Sequence, residues 1–226
     1  MLAVMKKEFK SYFYSPIGYV FIGLFLIMFS VFFYIDVFAY NRINFEVIFY
    51  AGATILTFII PILTMRTIAE ERKTGTEQLI LTSPISITKV ILAKFLAATL
   101  VVVITLLCTF MYFGILSFFG NPHLTTALVT MFGFLLLAMS YISFGILASS
   151  ITENQIIAGV ITIGVFILTW FLPQFDPIFS SISLINIFSK FTSGQINIAD
   201  TVTFITFTVT CLLLTVVCMQ RRKSVR

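Results

Sequence analysis

Between two long apolar runs the sequence places MRTIAEERKTGTEQLILTSPISITK, residues 65–89. This stretch gathers Arg66, Glu70, Glu71, Arg72, Lys73, Glu77 and Lys89, with a glycine and a proline, in an otherwise oily chain. Its carboxylates have no Ser/His/Asp, Cys/His or paired-carboxylate arrangement around them, so neither nucleophilic nor acid–base catalysis is readable. No G-x-x-x-x-G-K-[ST] phosphate loop occurs anywhere, and ATP would not be held in that manner by this chain. One histidine and three cysteines argue against a metal site. His123, in GNPHLT, reads as a loop residue rather than a base, and Cys108, Cys211 and Cys218 lie inside apolar runs as structural thiols. The chain is therefore expected to be a non-enzyme that binds no cofactor. What remains for the charged stretch is recognition. Mixed charge suits a protein partner, whereas a segment lying on anionic lipid would be mainly basic. A solvated loop that only reverses the chain is the competing reading.

Local signals give the stretch a shape. Thr74-Gly75-Thr76-Glu77 reads as a capping box, with the Thr74 hydroxyl capping an amide and Glu77 reaching back. A short helix then runs to about Thr82 and stops before Ser83-Pro84. Ser86 is a natural cap for the next helix, which continues through Lys89 into an apolar run. The triplet Leu79, Ile80 and Leu81 must be covered by lipid or by another protein. Upstream, MLAVMKKEFKSYFYSP (residues 1–16) places Leu2, Met5, Phe9, Tyr12 and Phe13 within one arc of a helical wheel and Lys6, Lys7 and Lys10 in the next. That pattern is an interfacial amphipathic helix, ended by Ser15-Pro16, serving as a topology anchor or also touching a partner.

The elements that must position these segments are membrane spans. The chain has 226 residues, is 59% hydrophobic and 10% charged, and has a mean hydropathy of +1.09, too apolar for a soluble domain. Six stretches are long enough to span the hydrocarbon core, which takes roughly 20 helical residues: Ile17–Phe38, Phe45–Met65, Val90–Phe118, Ala127–Ser150, Ile156–Leu172 and Thr201–Met219. The first is too long for a signal-peptide core and is read as a retained helix. The third exceeds one span and should tilt or project. The fifth is short and ends at Pro173.

Orientation follows from Lys and Arg. With the N-terminus inside, Lys6, Lys7, Lys10, Arg66, Arg72, Lys73, Lys89, Lys94, Arg221, Arg222, Lys223 and Arg226 face the inner side, against Arg42 and Lys190 outside, so both termini are cytoplasmic. The net charge of +5 thus reports topology and contact with membrane lipids, not a nucleic-acid site. No ionisable residue lies mid-span, which weighs against a proton- or sodium-coupled carrier. The outer segment 173–200 is apolar enough for one or two short helices in the interface or dipping into the membrane. In the last span Thr203, Thr206 and Thr210 share a face that either lines a polar path or bonds back to the helix.

The order MRTIAEERKTGTEQLILTSPISITKVILAKFLAA, with the N-terminal MKKEFKSYFYSPIGYVFIGLF, resembles the short permease subunits of ABC-2 type ABC transporters. The likeness is nearest to the gliding-motility-associated permeases of Bacteroidetes. It covers the chain in topology and, in motif, residues 1–30 and 60–98. The resemblance implies a single ABC-2 transmembrane domain over residues 1–226 in a bacterial cytoplasmic (inner) membrane. Its fold would be all-α and integral to the membrane: six transmembrane helices, an N-terminal interface helix (1–16), a cytoplasmic coupling helix between spans two and three (66–89) and short extracytoplasmic helices in 173–200. It further implies that Glu70, Glu71, Arg72, Lys73, Gly75, Thr76 and Glu77 dock a separate cytoplasmic ABC ATPase subunit that carries ATP and Mg, while Phe9 and Tyr12 belong to the interface helix. A second permease module, identical or different, completes the pair. Export across the membrane is the expected function. The alternatives are mechanotransmission, with force passed to a membrane-anchored partner bearing an outer domain, and an ATP-independent channel or carrier.

Overall fold

The computed structural model describes residues 2–40, 44–82, 85–175 and 183–225. Arg42, Ser83-Pro84, Asp176 and Arg226 lie outside the described residues, as do residues 176–182 of the outer segment and the side chains of Ile80, Leu81 and Lys223. The described chain is helical, with no strand. In order it forms α1 (Leu2–Tyr14), α2 (Ile17–Tyr34), α3 (Phe45–Thr64), α4 (Ala69–Lys73), α5 (Glu77–Thr82), α6 (Ile87–Phe119), α7 (Leu124–Ile151), α8 (Gln155–Phe175), α9 (Leu184–Thr192) and α10 (Ile198–Val225). A π-helical turn, Ile35–Ala39, extends α2.

Five helices are long and apolar enough to cross a membrane: α2 with its π turn, α3, α6, α7 and α10. The remaining expected span falls on α8, whose described apolar part, Gln155–Phe171, is shorter. At 1.5 Å per residue the 21 residues of α8 as a whole reach about 31 Å, the thickness of a core of about 30 Å. Each of the six expected stretches falls on a helix, and among the described residues five of these helices are long and apolar enough to cross a membrane. By the same arithmetic the 33 residues of α6 reach about 50 Å, so this helix overruns the core as its sequence anticipates.

The centre of the bundle is α6, α7 and α3, about two-thirds buried, while α2 and α10 bury little more than a third. Phenylalanine does much of the packing. Phe21, Phe25, Phe29 and Phe33 recur every fourth residue, so they share one face of α2, and all are buried. Phe29 meets Phe49 of α3 and Tyr112 of α6 edge-on, each at a centroid distance of 5.2 Å, and Phe25 meets Phe134 of α7 at 5.6 Å. Between lipid-solvated helices such shape-matched contacts, not hydrophobic burial, hold the bundle together. Close approach needs small residues as well. Gly145 of α7 faces Thr64 of α3 so tightly that a Cβ there would overlap the Thr64 side chain.

On the side of α6 away from the charged stretch, α9 folds back into the bundle. Its Leu184, Ile185, Ile187, Phe188 and Phe191 are buried, and Lys190 pairs with Asp200 at the start of α10 (2.9 Å). Of the threonines on α10, Thr203, Thr206 and Thr210 face outward, and Thr203 and Thr210 donate to their own helix at Ala199 (2.9 Å) and Thr206 (2.7 Å). Thr208 is buried against Ser140 of α7 instead.

Candidate functional site

The charged stretch is built as two helical turns around a glycine. α3 closes through Pro61, whose carbonyl accepts from the Met65 amide (2.8 Å). The chain then bends and restarts as α4, where the side chain that caps it comes from far away. Ser149 of α7 accepts from the Ile68 and Ala69 amides (3.1 and 3.0 Å) and donates to the Met65 carbonyl (3.0 Å). One hydroxyl thereby satisfies both ends of the bend, where helix termini leave backbone groups unpaired. α4 lasts only to Lys73, and Gly75, at φ +76°, ends it in the left-handed region that glycine adopts without strain.

The expected capping box does not form. Thr74 donates backward to the Glu70 carbonyl (2.8 Å), closing the C-terminal end of α4 rather than opening α5. Glu77 is the first residue of α5, not its third, and its carboxylate is drawn to two arginines instead. Arg72 approaches it at 3.5 Å and Arg222 of α10 at 3.3 Å. The short helix itself ends at Thr82 as expected, and Ser86 precedes α6, though its side chain makes no capping bond.

Around this core the charges fall into two knots, the first buried and the second partly exposed. In the first, Lys94 lies two turns into α6, only 2% exposed. Its ammonium donates to Glu71 (2.6 Å), to Glu8 of α1 (3.2 Å) and to the Thr67 carbonyl (3.0 Å), which uses all three of its N–H groups. The sequence counts Lys94 among the charges of the inner face; the structure buries it there, and a buried ammonium is tolerable only when paired in this way. In the second knot Arg72 bridges Glu77, Glu153 (2.6 Å) and the Ile151 carbonyl (3.2 Å), while Arg222 spans Glu77 and the Ser150 carbonyl. Arg66 and Glu70 form a separate two-pronged pair (2.7 and 2.6 Å).

The seven expected docking residues therefore divide. Glu71, Arg72 and Glu77 turn inward to hold the loop, and Glu70 is occupied by Arg66. Lys73, Gly75 and Thr76 are exposed, and with Gln78 and Leu79 (73% exposed) they form an outward rim. Phe9 and Tyr12 pack α1 against the core rather than lying on open lipid, with α6 as the main neighbour. Phe9 meets Phe13 in a tilted ring pair at 5.0 Å, and burial pushes the Tyr12 hydroxyl up to about 12, opposed by the nearby Thr67 hydroxyl. The exposed Lys6, Lys7 and Lys10 keep the basic face that the wheel anticipates.

Glu8, Lys94, Ser149, Glu153 and Arg222 escaped the sequence reading. One signal was available: Lys94 is a single cation inside the apolar run VILAKFLAA, where a charge ordinarily needs a partner. The others look like ordinary surface or tail residues until the fold joins them.

A family model described as ABC-2 family transporter protein matches residues 40–219. A comparison with curated proteins gave no match.

Proposed function

The chain belongs to the ABC-2 family of transporter proteins, multi-pass membrane proteins that act as permeases of ABC transporters, and on that premise we propose that it couples a separate cytoplasmic ATPase to export. The observation that carries this reading is the rim of Lys73, Gly75, Thr76, Gln78 and Leu79: exposed residues on a loop pinned from behind by ion pairs of the buried Lys94 and Glu77. A pinned loop transmits a push, whereas a slack loop absorbs it. Through the two knots a displacement of the rim reaches α1, α6, α7 and α10 together. ATP and Mg belong to the partner, and this chain acts as a non-enzyme with no cofactor of its own. A second permease module, of the same or another chain, completes the path. In this reading α8 serves as the sixth span, and the rim and both termini face the cytoplasm of a bacterial inner membrane. The resemblance of residues 60–98 in register supports a relation to the gliding-motility-associated permeases.

The test is a gentle detergent pull-down of the tagged chain from its native membrane, in wild type and in Leu79→Asp. A stoichiometric ATPase with the wild type, reduced at least tenfold by the substitution, is the expected result. A stable chain that emerges alone would sink the coupling reading and favour a channel or carrier. An outer-domain protein that co-purifies with the ATPase would replace export with force transmission.

A further inference from the structure

A cavity of about 360 Å³ opens between α1 and residues 66–76, at the low end of the size range for small-molecule sites. Its charged lining is balanced: Lys7, Arg66 and Lys94 against Glu8, Glu70 and Glu71. Most of that charge is already committed. Arg66 is spent on Glu70, and Lys94 donates to Glu8, Glu71 and the Thr67 carbonyl. Three polar groups in the lining remain open. The Glu71 Oε2 and Thr67 Oγ1 atoms are buried without a hydrogen-bond partner, and Thr67 is only 9% exposed. Lys7 is exposed and makes no ion pair among the described residues. Ile17, where α2 begins, supplies an apolar edge beside the buried Leu63 in the last turn of α3.

An acceptor pair deep inside, a free cation in the lining and an apolar edge suit one kind of ligand. We propose that this cavity binds the headgroup of an amine-bearing zwitterionic phospholipid. The primary ammonium donates to Glu71 Oε2 and Thr67 Oγ1, relieving buried acceptors that are costly when unpaired. The phosphate meets Lys7, and the acyl chains leave past Ile17. A net-neutral lining gives no advantage to a purely anionic headgroup, and a trimethylated ammonium has no N–H to donate. The shared chemistry is phosphoethanolamine, whether in a lipid or free. This inference needs α1 at the membrane surface but not the docking of an ATPase, so the two fail separately.

The experiment is native mass spectrometry of the purified full chain in detergent with dioleoyl phosphatidylethanolamine, phosphatidylcholine or phosphatidylglycerol. Phosphatidylethanolamine should be retained at least tenfold over phosphatidylcholine. Thr67→Val, which keeps the shape and removes the hydroxyl, should weaken that preference several-fold. Ser11→Trp, which fills the cavity from an exposed lining position, should abolish it with the circular dichroism spectrum unchanged. Free phosphoethanolamine at millimolar concentration that displaces the lipid would locate recognition in the headgroup alone. A lipid preference that it does not disturb would tie the site to the membrane-anchored form. Equal retention of the ethanolamine and choline lipids, tightest binding of phosphatidylglycerol, or a preference unaffected by both substitutions would overturn the proposal.

Discussion

Removing the ammonium of Lys94 would leave Glu8 and Glu71 facing a buried space with no positive charge between them. Breaking a buried pair from one side typically costs 3–5 kcal/mol, more than the pair itself is worth. Lys94→Met should therefore lower the unfolding free energy by about 3–5 kcal/mol, read from chemical denaturation in detergent. The double variant Lys94→Met/Glu71→Gln should recover part of that loss, because it strands less charge; no loss in the single variant would mean that water already solvates the site. At this scale the sequence was least legible. Thr74 and Glu77 have the right types and spacing for a capping box, and the local rule loses because two guanidinium groups offer Glu77 a stronger, charge-assisted bond. One of these arginines is 145 residues away, and no window of sequence contains both partners.

At the level of elements, hydropathy located nearly every helix, because the need for internally satisfied backbone leaves little freedom in lipid. It could not say which helices are central. The close contact of α3 and α7 at Gly145 is a packing fact, invisible in a run such as SYISFGILASS. Gly145→Ala should cost about 1–3 kcal/mol by overpacking, since Thr64 is buried and bonded to the Ile60 carbonyl with nowhere to move. Gly114→Ala on α6 is the matched control: nothing lies within 4 Å of its added methyl, and its melting temperature should stay level or rise. Equal losses at both positions would show that helix propensity, not contact, sets the effect. The amphipathic pattern of α1 was legible, but its main partner was not. A wheel shows that a face is apolar, and it does not distinguish a lipid surface from the flank of α6.

For the whole molecule, the charge asymmetry that oriented the chain in sequence now coincides with a structural asymmetry. Among the described residues, the ion pairs other than Lys190–Asp200 gather where α1, the 66–89 stretch and the ends of α7 and α10 meet. Thr76 precedes α6 and His123 follows it, so the two exposed residues lie at opposite ends of that helix. On a background lacking Cys108, Cys211 and Cys218, Thr76→Cys should react with a membrane-impermeant maleimide only in inverted vesicles, and His123→Cys only from the outside. Labelling of both from one side would refute a membrane-crossing α6.

The two knots also differ in when they can close during synthesis. Glu8, Glu71 and Lys94 are all made early, so the first can form while most of the bundle is still missing. Arg222 is translated 145 residues after Glu77, a delay of about 7–30 s at ordinary elongation rates. Until then the rim lacks its rear support on α10. Under the proposed coupling, the docking surface would become firm only once the last helix has been made.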